Sequence, residues 1–228
     1  MKRGAVASLT EHLRREAVDL VHIQTPFIAH YAGIRLSNRL GVPRVETYHT
    51  YFEEYLHHYL PLLPTALMRR MARWFSRRQC NHVHAVIAPS RAMNDALKDY
   101  GVLSPIHIIP TGIEDVFRGP RKRSDFRRQN GIHPDRPVMV TVGRVAHEKN
   151  IDFLLEVLGR VRCSIPEVVF VIAGEGPSLP HIKSLARRLG LGSHILFVGY
   201  LDRETSLLDL YSAGDLFVFA SRTETQGL

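Results

Sequence analysis

Short apolar runs that alternate with helix-length amphipathic segments constrain this chain more than any other feature. Residues 138–142, 168–173, 195–198 and 216–219 are such runs. Each is too short for a helix and too continuously apolar for a strand with one wet face. Strands of that kind are buried on both sides, as in parallel sheets covered by helices. The segments between them, 151–161, 179–189 and 205–212, carry helical spacing. Strand–helix–strand units of this size join parallel strands through right-handed crossovers.

The first half follows the same order less cleanly. Residues 5–16 are predicted as a helix, 19–24 as a strand, and 27–40 as a helix closed by Gly41. A strand over 43–48 runs into a loop rich in Tyr and His over 48–59. A helix follows over 65–80 with Thr65 as its N-cap, then a strand over 83–88, a helix over 90–100 and a short strand over 107–110. Residues 114–137 hold Gly119, Pro120, Gly131, Pro134 and Pro137, which predicts a linker leading into a short helix. The predicted architecture is α/β, with two Rossmann-like parallel-sheet domains over 1–118 and 119–228 that face a cleft.

At 228 residues the chain has room for two small domains, and no run of eighteen apolar residues predicts a membrane span. Met1-Lys-Arg-Gly-Ala-Val lacks the apolar core of a signal peptide. Cys80 and Cys163 are far apart, which suits a reduced, cytoplasmic compartment. The net charge of +8 gathers in two clusters. One is Arg69, Arg70, Arg73, Arg77 and Arg78; the other is Arg121, Lys122, Arg123, Arg127 and Arg128. Such clusters suit phosphate-bearing small molecules, anionic lipid or nucleic acid, or they form a solvated basic face. The basic runs lack interleaved aromatics, so nucleic acid is not the expected partner.

Four places pair a strand end with residues able to do chemistry. Gly143, Arg144 and Lys149 lie between a strand and a helix, where backbone N–H groups and the helix dipole favour an anion. Two cationic heads in one loop can converge on a diphosphate, the Arg as a planar fork and the Lys as a point charge. Asn150 would cap the helix that follows. Gly174 and Gly176 allow the backbone to come close to a ligand, or belong to an ordinary turn after a strand. Glu224, with Gly227 after it, follows the last strand, where a carboxylate can bind sugar hydroxyls or a developing positive charge. His49 follows a first-half strand and can donate to a sugar or phosphate oxygen. The histidines show no HExxH or Cys/His zinc spacing, and no Asp-x-Asp occurs, so no metal or other cofactor is expected. Phosphate charge would be met by Arg, Lys and helix N-termini instead.

The ordered set Val86-Ile-Ala-Pro-Ser90, Ile109-Pro-Thr-Gly-Ile113, Val142-Gly-Arg144 with Lys149, Gly174-Glu-Gly-Pro177, and Ala213-Gly-Asp215 through Ser221 to Gly227 covers nearly the whole chain. It resembles retaining glycosyltransferases of the GT-B fold, of the family four type. The resemblance implies that Arg144 and Lys149 hold the donor diphosphate, that Glu224 touches the donor sugar, and that His49 lies near the transferred sugar. It also implies that both domains are incomplete: strands and a glycine-rich loop are expected before residue 19, and the family's second Glu is expected beyond Leu228. His22-Ile-Gln-Thr-Pro26, Thr47-Tyr-His-Thr50 and Thr223-Glu-Thr-Gln-Gly227 look most like bacterial 1,2-diacylglycerol glucosyltransferases. Such a likeness implies a UDP-glucose donor, a lipid hydroxyl acceptor, retention at the sugar, and a place on the inner face of the cell membrane. The alternative is a chain that binds nucleotide sugar or an anionic membrane without turnover.

The segment 68–78 bears on the membrane. At 100° per residue Met68, Met71 and Phe75 share one face, with Arg69, Arg70, Arg73, Trp74 and Arg77 beside it. The helix is expected either to lie on an anionic bilayer or to be a core helix with an arginine-rich outer side.

Overall fold

A computed structural model describes residues 3–49, 51, 64–112, 123–221 and 223–226. Contacts divide the chain into two units, Met1–Gly112 with Thr223–Leu228, and Ile113–Arg222. The boundary expected near residue 118, and most of the Tyr/His-rich loop over 48–59, lie outside the described residues.

The first unit holds α1 (Arg3–Arg15), β1 (Val21–Ile23), α2 (Ile28–Leu40), β2 (Arg44–Thr47), α3 (Thr65–Cys80), β3 (Ala85–Ala88), α4 (Arg91–Asp99) and β4 (Ile106–Ile108). Its four strands are parallel, in the order β1-β2-β3-β4. Gly41 ends α2 at φ 71°, and its amide donates to the Ser37 carbonyl at 2.9 Å. That left-handed position is where a glycine costs least. Ser90 caps α4, its hydroxyl accepting from the Met93 amide at 3.2 Å. Thr65, expected as the cap of α3, is instead its first helical residue, and Pro64 takes the capping position. A proline there suits a helix start because its missing N–H would have no intrahelical partner.

Helix α3 sorts its residues differently from the expected face. Met68, Ala72, Ser76, Gln79 and Cys80 are buried, whereas Met71 and Trp74 are exposed. Met68 and Met71 therefore part company, and Phe75 sits at the margin of the core. Burial, helped by the nearby Glu46 charge, pushes the Cys80 thiol up to about 12, while Cys163 is exposed. The thiolate is the reactive form. A native thiol assay is expected to titrate Cys163 quickly and Cys80 only after unfolding. Two fast thiols would show that α3 lifts readily from its sheet.

The second unit holds α5 (Arg123–Gln129), β5 (Val138–Val142), α6 (Ile151–Ser164), β6 (Val169–Ala173), α7 (Leu179–Arg188), β7 (Ile195–Gly199), α8 (Ser206–Ala213) and β8 (Leu216–Phe217). These strands are also parallel, in the order β7-β6-β5-β8. Side chains alternate across β5 and β6, as strand geometry requires. Met139, Phe170 and Ile172 pack with Leu154, Leu155 and Leu158 of α6 on one face. Val138, Val140, Val169 and Val171 pack with Phe126, Leu210 and Ala213 on the other.

Arg127, counted among the basic residues that would meet phosphate or solvent, does neither. It is 2% exposed. Its guanidinium donates to the carbonyls of His133, Pro134, Arg136 and Ala213, at 2.7 to 3.1 Å, and to Asp215 at 2.9 Å. Asp215 in turn accepts from the Val138 amide at 2.8 Å. One side chain thus ties α5, the turn before β5 and the end of α8. A buried guanidinium is tolerable because all of these acceptors replace water.

Candidate functional site

In both units the candidate residues sit where strands of a parallel sheet reach their carboxyl ends, which is where open α/β sheets bind ligands. In the second unit the loop after β5 and the loop after β6 are clasped together. The Gly143 amide donates to the Ala173 carbonyl at 3.0 Å, Val145 to Glu175 at 2.9 Å, and Ser178 to Val145 at 3.0 Å. A Cβ on Gly174 would lie 1.9 Å from the Gly143 carbonyl oxygen, and one on Gly176 would lie 2.3 Å from that of Val145. The close approach these glycines permit is therefore between the two loops. Nothing lies within 4 Å of a Cβ built on Gly143, whose φ of 151° still favours glycine.

With the backbone clasped, the loop presents its cations from fixed anchors. Val145 and Ala146 are buried beneath it. Residues His147–Lys149 form one 3₁₀ turn. Arg144, half exposed, pairs with Glu148, whose carboxyl is nearly buried. Burial raises the Glu148 pKa, but hydrogen bonding to Arg144 and to backbone overrides it, so the group lies below its ordinary value. The Lys149 ammonium sits 5.6 Å from the centre of the Phe219 ring, a cation–π distance. Asn150 stands at the start of α6 as expected, yet it does not cap it. Its backbone is left-handed, φ 52°, and its amide reaches the Ala220 carbonyl at 3.5 Å.

In the first unit a short strap, Thr223 to Gln226, lies over the strand ends. The Ser90 hydroxyl donates to the Thr225 carbonyl at 2.6 Å, and the Thr111 amide to Gln226 Oε1 at 3.0 Å. The Thr225 hydroxyl reaches the His49 carbonyl at 3.4 Å. Glu224 is carried by this strap. Residues expected with the second domain thus make these contacts in the first unit, alongside His49. Gly227 lies outside the described residues.

His49 is held by Gln24, whose Oε1 accepts from Nε2 at 2.7 Å. The Gln24 amide faces His22, which is bonded to Thr47 at 2.7 Å. Burial, then the neighbouring His22, holds the His49 pKa below its ordinary value, which favours the neutral ring. His49 also lines a small pocket with Pro26, Glu46, Thr47, Tyr48, Gln79 and Cys80. Behind it Glu46 bonds the buried His30 at 3.0 Å. Gln24, Glu148 and Ser90 are supporting residues that the sequence reading did not single out. Glu148 carried a signal, since it stands four residues after Arg144. Gln24 and Ser90 lie inside the family-like motifs 22–26 and 86–90 but have no partner visible in sequence.

Among the described residues no group of three His, Cys, Asp or Glu side chains is placed to hold a metal, and no helix is long and apolar enough to cross a membrane.

Matches to two family models place this pair of parallel sheets with the glycosyl transferases. Residues 2–117 match the family described as Glycosyltransferase Family 4, and residues 122–228 match Glycosyl transferases group 1. The chain belongs to glycosyltransferase family 4. It is 33% identical over 226 residues to the alpha-monoglucosyldiacylglycerol synthase of Streptococcus pneumoniae, covering 96% of this chain and 50% of that protein. It is 29% identical over 229 residues to the enzyme of the same name from Acholeplasma laidlawii, covering 95% and 56%. The chain thus spans about half the length of these relatives. Among solved structures, sucrose-phosphate synthase from Thermosynechococcus elongatus matches with TM-score 0.77 at 22% identity, over 98% of this chain and 55% of that one. Anabaena HepE in complex with UDP and glucose matches with TM-score 0.74 at 19% identity, over 95% and 56%. These likenesses are of fold, the two-sheet GT-B arrangement.

Proposed function

We propose that this chain supplies both sheets of a retaining glycosyltransferase that moves glucose from UDP-glucose to a lipid hydroxyl such as that of diacylglycerol. The reading rests on the 33% identity to the pneumococcal alpha-monoglucosyldiacylglycerol synthase, which extends over 96% of the chain. In this reading Gly143 lets the donor approach, and Arg144 and Lys149 hold its diphosphate without a metal or other cofactor. Gly174 and Gly176 keep the supporting loop close beneath. The bond from C1 to the phosphate oxygen breaks with oxocarbenium character, and the two cations stabilise the leaving phosphate. Each contributes roughly 2–4 kcal/mol to lowering the barrier, as oxyanion donors do. Glu224, with Gly227 nearby in sequence, orients the sugar. His49, neutral with its one N–H given to Gln24, accepts through Nδ1 from a sugar hydroxyl. The acceptor hydroxyl attacks C1 from the face the phosphate leaves and gives its proton to the departing phosphate oxygen. A lipid acceptor places the work at the inner face of the cell membrane.

In a second reading this stretch, about half the length of its relatives, binds nucleotide sugar or an anionic membrane without turning the sugar over. One experiment separates the two. UDP release from UDP-glucose is measured with and without diacylglycerol vesicles, beside calorimetric UDP binding and a GDP-mannose control. Release that depends on both UDP-glucose and diacylglycerol supports transfer. Binding without release supports the second reading, and neither binding nor release overturns both.

A further inference from the structure

We propose that Phe219 is a positioning residue for the donor diphosphate, its ring fixing where the Lys149 ammonium stands. The inference rests on the reading that Lys149 binds that diphosphate, and adds what prepares it to do so. The segment after β8 is seated first. The Val218 amide donates to the Val140 carbonyl at 2.8 Å, and Val218 and Ala220 pack against the core that α6 builds. Alternation continued from β8 turns Phe219 away from that core, and it is 41% exposed. Its ring has support: Phe217 stacks on it at 6.2 Å, nearly parallel, and Tyr211 of α8 leans on Phe217 at 5.9 Å. The Lys149 ammonium lies 5.6 Å from the centre of the Phe219 ring. A second tie joins the same two segments one residue on, where the left-handed Asn150 brings its amide to the Ala220 carbonyl.

A ring suits this place better than a carboxylate would. A lysine head rides on a flexible four-carbon stem, and freezing that stem costs entropy that the donor would otherwise have to supply. A carboxylate would restrain it but would compete with the phosphates, as Glu148 does for Arg144 in the same loop. The face of an aromatic ring attracts an ammonium through its quadrupole without cancelling its charge. Phe219 thereby restrains the lysine without taking the charge that a diphosphate needs.

The contact has a signature of its own in magnetic resonance. Protons over the face of a ring are shifted upfield. The Lys149 Hε resonances of a lysine-labelled chain are therefore expected upfield, identified by their loss in Lys149→Arg. They are expected to return to ordinary positions in Phe219→Leu and to stay upfield in Phe219→Tyr. Lys183, 5.4 Å from the centre of the Phe197 ring, is the control, whose unmoved resonances report that the leucine variant is folded. Phe219→Met stands in if leucine unfolds the chain. Calorimetry with UDP and UMP reads the consequence. UDP affinity is expected to fall about fivefold in Phe219→Leu, the size of a part-exposed cation–π contact, and to recover in Phe219→Tyr. UMP, with one phosphate fewer, is expected to lose less. Failure of the wild-type chain to bind UDP removes the donor reading and this inference with it. Equal UDP affinity in wild type and Phe219→Leu overturns this inference alone, as does a Lys149 resonance at its ordinary position in the wild type. Equal losses in the leucine and tyrosine variants, or for UDP and UMP, would mark Phe219 as packing only and overturn it as well.

Discussion

Arg144→Ala is expected to reduce turnover at least a hundredfold when the chain is extended to the length of its relatives, by analogy with loss of one oxyanion donor, about 2.7–4 kcal/mol. The side chain rises from a loop whose backbone is clasped to its neighbour through Gly143, Val145 and Ser178, so its origin hardly moves when it is truncated. What is lost is the guanidinium and its fork of donors. Arg144→Lys keeps a charge but loses the planar geometry, and is expected to fall between the two. Turnover and UDP affinity measured on all three proteins check this, and near wild-type activity in the alanine variant would remove Arg144 from the mechanism. The same substitution leaves Glu148 without its partner. A carboxyl held below its ordinary pKa in the fold adds stability above its unfolded pKa and loses it as pH falls through the folded value. Removing Arg144 reduces that contribution, so the midpoint of acid unfolding is expected to move to higher pH. An unmoved midpoint would show that the Arg144–Glu148 pair does not persist in solution.

Arg127→Met is expected to cost about 3–5 kcal/mol of stability, the usual effect of removing one partner from a buried charged network. Four carbonyls and the Asp215 carboxylate lose their shared donor together. Arg127→Lys is expected to recover little, because three rotatable donors cannot reach acceptors on both sides of a planar fork. Urea unfolding of the chain provides the measurement. A loss below about 1 kcal/mol, the range of an ordinary surface substitution, would show that water replaces the guanidinium without strain.

These residues mark how far the sequence could be read. The strand over 138–142 was legible because it is buried on both faces and its run is apolar but for Thr141, a residue that itself favours strands. The end of α2 was legible because Gly41 meets a backbone need that few other residues meet. Arg127 was not, since a count of charges says nothing of which cation turns inward. Helix α3 was half legible. Its apolar residues could be placed at relative angles, but Ala72, Ser76 and Gln79 line the buried side, and small or polar residues leave no hydrophobic trace to reveal it. The glycines at 174 and 176 were visible as demands for close approach. Only the tertiary structure names what approaches, the carbonyls of Gly143 and Val145. Asn150 misled because its type favours capping, while its left-handed backbone aims the side chain elsewhere. The strap from Thr223 to Gln226 depends on contacts more than a hundred residues apart, at Ser90 and Thr111, which no local pattern encodes.

Among the described residues strand β8 stands at one end of its sheet, paired with β5. Leu216, Phe217 and Phe219 are exposed there, and Phe217 stacks with Phe219. An exposed apolar strand at the end of a sheet is a template for another polypeptide. A concentrated preparation of this chain alone is thus disposed to polymerise. Lysine introduced at Leu216, outward on that rim, would be the natural gatekeeper for keeping the material dispersed.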